Sequence, residues 1–193
     1  MATAEALLTA EEFGRRPDPG HPEELVQGRI ITMPPPQPRH GQVCVKVIRI
    51  LDRYVEEHDL GQVLSNDSGV ITERDPDTVR GADISFYSYQ RLSKGPIPAG
   101  YLAFPPNLVV EVCSPDDRWR DLLVRVNEYL EVGVTAVVVL DPEPRTAHIF
   151  RADRAPQQLG PDHDLMAGLT HHFSLGFLGF SWKIQEIHMI VRK

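Results

Sequence analysis

The sequence predicts an α/β fold, a mixed central sheet flanked by helices, and three stretches carry that expectation. "LVVEVC", residues 108–113, is apolar except for one carboxylate, as a central strand covered on both faces requires. "DDRWRDLLVRVNEYLEVG" follows, with Leu122, Val126, Tyr129 and Leu130 on one helical stripe and Gly133 at its end. "VTAVVVLD" is a second buried strand. Strand, helix and strand over about 35 residues is the layout of a right-handed crossover between sheet neighbours.

The remaining elements are arranged around this unit. In "LTAEEF", Thr9 stands three residues before Glu12, the spacing at which a hydroxyl and a glutamate cap each other's backbone amides, so a short N-terminal helix is expected. "EELVQGRIITM" reads as a hairpin turning at Gln27 and Gly28. "PPPQPRHG" reads as a rigid, extended connector, because each proline fixes its own φ and disfavours helix before it. Across residues 42–60, Val43, Val47, Ile50, Leu51, Tyr54 and Val55 recur at helical spacing, and Gly61 offers a stop. "QVLS", "GVITE" and "ADISFYS" are three short strands, the last two separated by a turn-rich "RDPDTVRG", and "SKGPIPAG" is a loop. Past Asp141 the signal weakens: "RTAHIFRA" reads as an edge strand, "APQQLGPDHD" as loop, and "FSLGFLGFSW" has no clear period. We expect one domain over 1–193, with its core at about 8–141 and a peripheral extension at 142–193.

Length and charge narrow the function classes. A chain of 193 residues is long enough for one proper core, and a net charge of −7 gives no global basic field, so any nucleic-acid contact has to be local. Cys44 and Cys113 lie in periodic apolar segments without zinc-site spacing, which favours reduced, buried thiols and a cytoplasmic location. The first twenty residues lack a basic start followed by an apolar stretch, and no window reaches the roughly 18 apolar residues of a membrane span. A phosphate-cradling glycine loop and a nucleophile elbow are both missing, which puts a small-molecule enzyme last. His163, His171 and His172 fit no helical pair or zinc motif and read as loop and surface residues.

Glu111 is the residue that asks for chemistry. Side chains alternate across a strand, so it shares a face with Val109 and Cys113, and a carboxylate buried there needs a partner. Asp83, in "RGADISF", is the first candidate: two carboxylates from neighbouring strands make a hard oxygen site suited to Mg²⁺. The competing reading pairs Glu111 with Arg125 one helix later and leaves Asp83 as a turn residue bonding its own backbone. His40, before the long helix, is a candidate proton carrier or phosphate donor, or else a capping residue.

The order "LTAEEF", "EELVQGRIITMPPPQPRH", "GADISF", "PNLVVEVCSPDDRWRDLLVRVNEYLEVGV" and "VVLDP" resembles the Uma-type family of putative restriction endonucleases, of the PD-(D/E)XK nuclease fold. The resemblance implies a restriction-endonuclease-like core, a divalent metal (Mg²⁺ or Mn²⁺), hydrolysis of DNA phosphodiesters and a homodimer. It makes Asp83 the first metal ligand, Glu111 the second, and Glu24 a helper carboxylate that would otherwise read, beside Glu23, as part of a solvated acidic pair. Two departures stand out. The wider nuclease pattern has a lysine two residues after the second acid, where this chain has Cys113. Uma-type sequences offer a lysine from the next helix instead, at the position of Arg125, and arginine stays charged and so serves only to bind phosphate or neutralise carboxylates. The alternative function is therefore a catalytically impaired nuclease-fold protein acting as a DNA-binding or protein-interaction module.

Overall fold

The computed structural model describes residues 6–115 and 117–165. Among these residues eight strands form one sheet in the order β2-β1-β4-β5-β6-β7-β8, with β3 along the other edge of β4. The strands are β1 (Glu23–Val26), β2 (Arg29–Thr32), β3 (Gly61–Glu73), β4 (Thr78–Ser88), β5 (Leu108–Val112), β6 (Ala136–Asp141), β7 (Thr146–Arg151) and β8 (Arg154–Leu159). Among the described residues three helices accompany them: α1 (Ala10–Gly14), α2 (Pro38–Glu57) and α3 (Trp119–Glu131). β5 and β6 pair in parallel, as the α3 crossover between them demands, and every other pairing is antiparallel.

Strand alternation divides the core into two layers. Leu108, Val110 and Val112 face α2, where Val43, Val47, Leu51, Tyr54 and Val55 lie against them. Val109 and Cys113 face α3, against Leu122, Val126 and Tyr129. α1 carries the expected reciprocal cap between Thr9 and Glu12, and β1 and β2 form the expected hairpin with both Gln27 and Gly28 at positive φ.

Several boundaries depart from the sequence reading. α2 starts at Pro38, four residues earlier than expected, because a proline at the first helical position loses no hydrogen bond. His40 therefore lies inside the first turn of the helix. The two strands expected on either side of Asn66 are one long β3, interrupted by a bulge at which Asn66 and Asp67 take positive φ. Asp83 sits in mid-strand, since β4 begins at Thr78. β7 is interior and β8, expected as loop, is its antiparallel partner, so the sheet continues past Asp141. "FSLGFLGFSW", His171 and His172 lie outside the described residues, and His163 lies in a bend.

Gly61 opens β3 instead of ending the helix. A Cβ there would meet the Tyr87 carbonyl oxygen at 2.0 Å and the Ser88 Cα at 2.9 Å, both backbone atoms with nowhere to go. Gly61→Ala is expected to cost about 1–3 kcal/mol or more, read by urea denaturation. An unchanged midpoint would mean that the strands separate more easily than this close approach implies.

Candidate functional site

β4 has two partners on one edge. It meets β1 at Val79 and β5 from Ile84 to Phe86, which leaves its residues 80–83 between them without a ladder partner on that side. Side chains fill the gap instead. The Gly81 N–H donates to Glu24 Oε1 at 3.1 Å, and the Val112 N–H donates to Asp83 Oδ2 at 2.7 Å. Continuing the β4/β5 register by one residue sets Asp83 opposite Glu111. Glu24, Asp83, Glu111, His40 and Arg125 all line one open cleft, with Pro34, Pro35 and Pro36 among its other lining residues. The five residues singled out in the sequence are thus brought together.

Arg125 is held by a different carboxylate from the one expected. Its Nη2 donates to Glu24 Oε2 at 3.3 Å, and its charge reaches Glu111 only through space. Arg80 donates to the same Glu24 oxygen at 3.0 Å and forks onto Glu128 of α3 at 2.6 and 2.7 Å. Glu24 is therefore a buried ion-pair residue, 4% exposed, and not half of a solvated acidic pair.

Glu111 is also 4% exposed; the Tyr129 hydroxyl of α3 stands against its carboxylate, yet neither that hydroxyl nor Glu111 Oε1 reaches good hydrogen-bond geometry with a partner. Burial pushes the Glu111 carboxyl well above the ordinary glutamate range, and the neighbouring Asp83 charge pushes it further; Arg125 and Tyr129 oppose this only in part. Such an orphaned acid is the kind of group for which a functional role is the first explanation to test.

His40 Nε2 lies 3.1 Å from Asp83 Oδ2, and Cys44, one turn along α2, brings its Sγ within 3.6 Å of His40 Nδ1. Burial is the largest single influence and works against an imidazolium here, but the hydrogen bonds and charges of Asp83 and Cys44 together outweigh it, and His40 is raised to about 10. This interaction stabilises the fold fully below the ordinary histidine value of 6.5, and its contribution is lost as pH rises through about 10. In metal-free Asp83→Asn, where burial and the weaker Cys44 contact remain, the His40 pKa is expected to fall well below 10 in an NMR titration. A His40 still titrating near 10 would mean that Asp83 is not its partner.

Three contributors went unseen in the sequence. Asp67 reaches the cleft from the bulge, packed so closely on Gly81 that a Cβ there would lie 2.9 Å from the Asp67 Cβ. Arg80 and Glu128 hold Glu24 in place. A charged residue in the "TVRGAD" strand was the available signal for Arg80, and "ND" followed by Ser-Gly was the signal for a positive-φ bulge. Cys113 is buried, and desolvation pushes its thiol up to about 12, so it supplies no base at the position where the wider pattern has lysine.

Comparison with known proteins agrees with this fold. The family model Uma2, described as putative restriction endonuclease, matches residues 10–179. A crystal structure of a putative nuclease belonging to DUF820 from Anabaena variabilis superposes with a TM-score of 0.77 at 19% identity, covering 94% of this chain and 97% of that one. At that identity the likeness speaks for the fold, a nuclease-like mixed sheet with flanking helices. No curated protein matches the chain. Among the described residues, no helix is long and apolar enough to cross a membrane.

Proposed function

From the premise that this chain belongs to the Uma2 family of putative restriction endonucleases, we propose that it is a divalent-metal-dependent endonuclease that hydrolyses DNA phosphodiesters. The observation that carries the reading is Glu111 Oε1, a buried carboxylate oxygen without a well-formed hydrogen bond, beside Asp83 in an open cleft. Had Arg125 closed onto Glu111, the space would be filled by a structural ion pair; Arg125 is turned to Glu24 instead.

The donor set fits a hard cation. Asp83 and Glu111 would hold Mg²⁺ or Mn²⁺, which takes one or two protein carboxylates and keeps water in its other positions. When bound, the ion supplies Lewis-acid charge to the phosphodiester and to an attacking water. The chain's own groups do the rest. Asp83 is aimed by the Val112 N–H and by His40, so its carboxylate is fixed before any ligand arrives. Glu24 assists by fixing Arg125 through one nitrogen, which leaves the remaining guanidinium N–H groups to bind a phosphate oxygen. His40 stands at the cleft as a proton carrier or phosphate donor.

Arg118 and Arg120 lie exposed beside the cleft residue Asp117, and Arg49 and Arg53 are exposed on α2, while Arg39 donates to the Pro142 carbonyl. With a net charge of −7 these scattered cations support weak, strongly salt-dependent DNA binding. Two sites are needed to cut both strands, so we place the working form as a homodimer, and its free thiols suit the cytoplasm.

The test is a cleavage assay on plasmid, linear and single-stranded DNA with Mg²⁺ and Mn²⁺, with Arg125→Lys in parallel. Metal-dependent cutting is expected, with a gain in the lysine variant, because lysine can give up its proton when desolvated. If no DNA is cut under any of these conditions, the hydrolytic reading fails. The DNA-binding or interaction module is then the better description, as the missing lysine at Cys113 would suit.

A further inference from the structure

We propose that His40, Cys44 and Asp83 form a second, soft-donor metal site that takes Zn²⁺. His40 and Cys44 stand four residues apart on α2, the spacing that sets two side chains on one helix face. Asp83 approaches the same point from β4. One ligand atom from each lies within 4.8 Å of the others, and Asp83 is already fixed there by the Val112 N–H at 2.7 Å. Zinc bond lengths of about 2.0–2.3 Å put tetrahedral donors roughly 3.3–3.8 Å apart, so the donors must close by about 1 Å, and the His40 ring, which now meets Asp83 through Nε2 and Cys44 through Nδ1, must turn one nitrogen toward both.

The donor chemistry decides the ion. Imidazole nitrogen, thiolate sulfur and carboxylate oxygen together suit Zn²⁺, whereas Mg²⁺ favours oxygen alone in near-octahedral array. Three protein ligands leave a fourth position, and His40 and Asp83 both line the cleft from which a water can fill it. Asp67, exposed at the bulge, lies within electrostatic reach of Cys44 and Asp83 and adds negative potential. On binding, the thiol proton and any imidazolium proton go to solvent as the Zn–S and Zn–N bonds form, and nothing is oxidised or reduced.

Asp83 cannot serve this site and the Glu111 site fully at once. Zn²⁺ here would therefore inhibit Mg²⁺-dependent cleavage, a consequence that rests on the nuclease reading, whereas zinc binding itself does not.

The experiment uses Co²⁺ as a spectroscopic substitute on the full chain. The wild-type protein is expected to bind one Co²⁺ with a thiolate-to-cobalt charge-transfer band in the near ultraviolet, which Zn²⁺ abolishes and excess Mg²⁺ does not. Cys44→Ser is expected to lose the band and at least about tenfold in Co²⁺ affinity, while Cys113→Ser keeps both. The absence of a thiolate band in the wild type, or its loss in Cys113→Ser with survival in Cys44→Ser, would overturn the assignment. The Cys113→Ser arm decides the matter even if Cys44→Ser fails to fold, and none of these readouts depends on DNA cleavage.

Discussion

Glu111→Gln is expected to remove Mg²⁺-dependent DNA cleavage by a factor of the order of 10²–10³ at least and, in the metal-free protein at pH 8, to raise the melting temperature. Loss of function together with gain of stability is the signature of a charge kept for something other than folding. The sign follows from the raised carboxyl. A glutamate whose folded pKa lies above 4.5 binds more protons folded than unfolded, so its contribution is fully present below that value and is lost as pH rises through the folded pKa. At pH 8 the wild type must either hold a desolvated charge or take up a proton in order to fold, and the amide does neither. Relief of a buried, poorly compensated charge is of the order of 1–4 kcal/mol, or about 2–4 °C in Tm per kcal/mol for a chain of this size. The difference should close as pH falls toward 4.5. Mg²⁺ should raise the wild-type Tm and leave the variant unchanged. A variant that melts lower than wild type across the whole pH range would make Glu111 a structural residue.

How far the sequence could be read depended on whether a feature was local. The β5-α3-β6 unit was legible because both strands are apolar on both faces and the helix between them is amphipathic; Glu111 was visible for the same reason, as one charge in an apolar run. α2 was found by its period but not its start, because a proline run hides the one proline that belongs to the helix. β8 carries only one buried side chain, so no alternation marks it, and pairing with β7 alone makes it a strand. Asn66 and Asp67 read as a break because positive-φ residues signal a turn as readily as a bulge. Arg80 and Glu128, 48 positions apart, meet only once the sheet and α3 have packed. The sequence therefore identified the acids of the candidate site more readily than the cations that orient them.

That asymmetry bears on Arg80→Ala, which is expected to destabilise the fold by about 3–5 kcal/mol, the usual result of removing one member of a buried charge cluster. Arg80 is 9% exposed and joins three elements: its own strand β4, Glu24 on β1 and Glu128 on α3. Without it, Glu128 keeps only a 3.5 Å contact from the Thr72 hydroxyl, and Glu24 keeps Arg125 and the Gly81 amide. The loss also falls where the backbone is thinnest, since β1 joins β4 through the single pair Leu25 and Val79. Beyond that pair and the Gly28 N–H donating to the Asp77 carbonyl at the turn, the β1-β2 hairpin is tied to the sheet by side chains, among them the Arg80–Glu24 ion pair. Two measurements separate this lock from a merely crowded arginine. Urea denaturation should give the loss in stability, and hydrogen exchange should show the hairpin amides losing protection beyond those of β5 and β6. A loss below about 1 kcal/mol, with uniform exchange, would place Arg80 among ordinary surface ion pairs and leave Glu24 positioned by Gly81 and Arg125 alone.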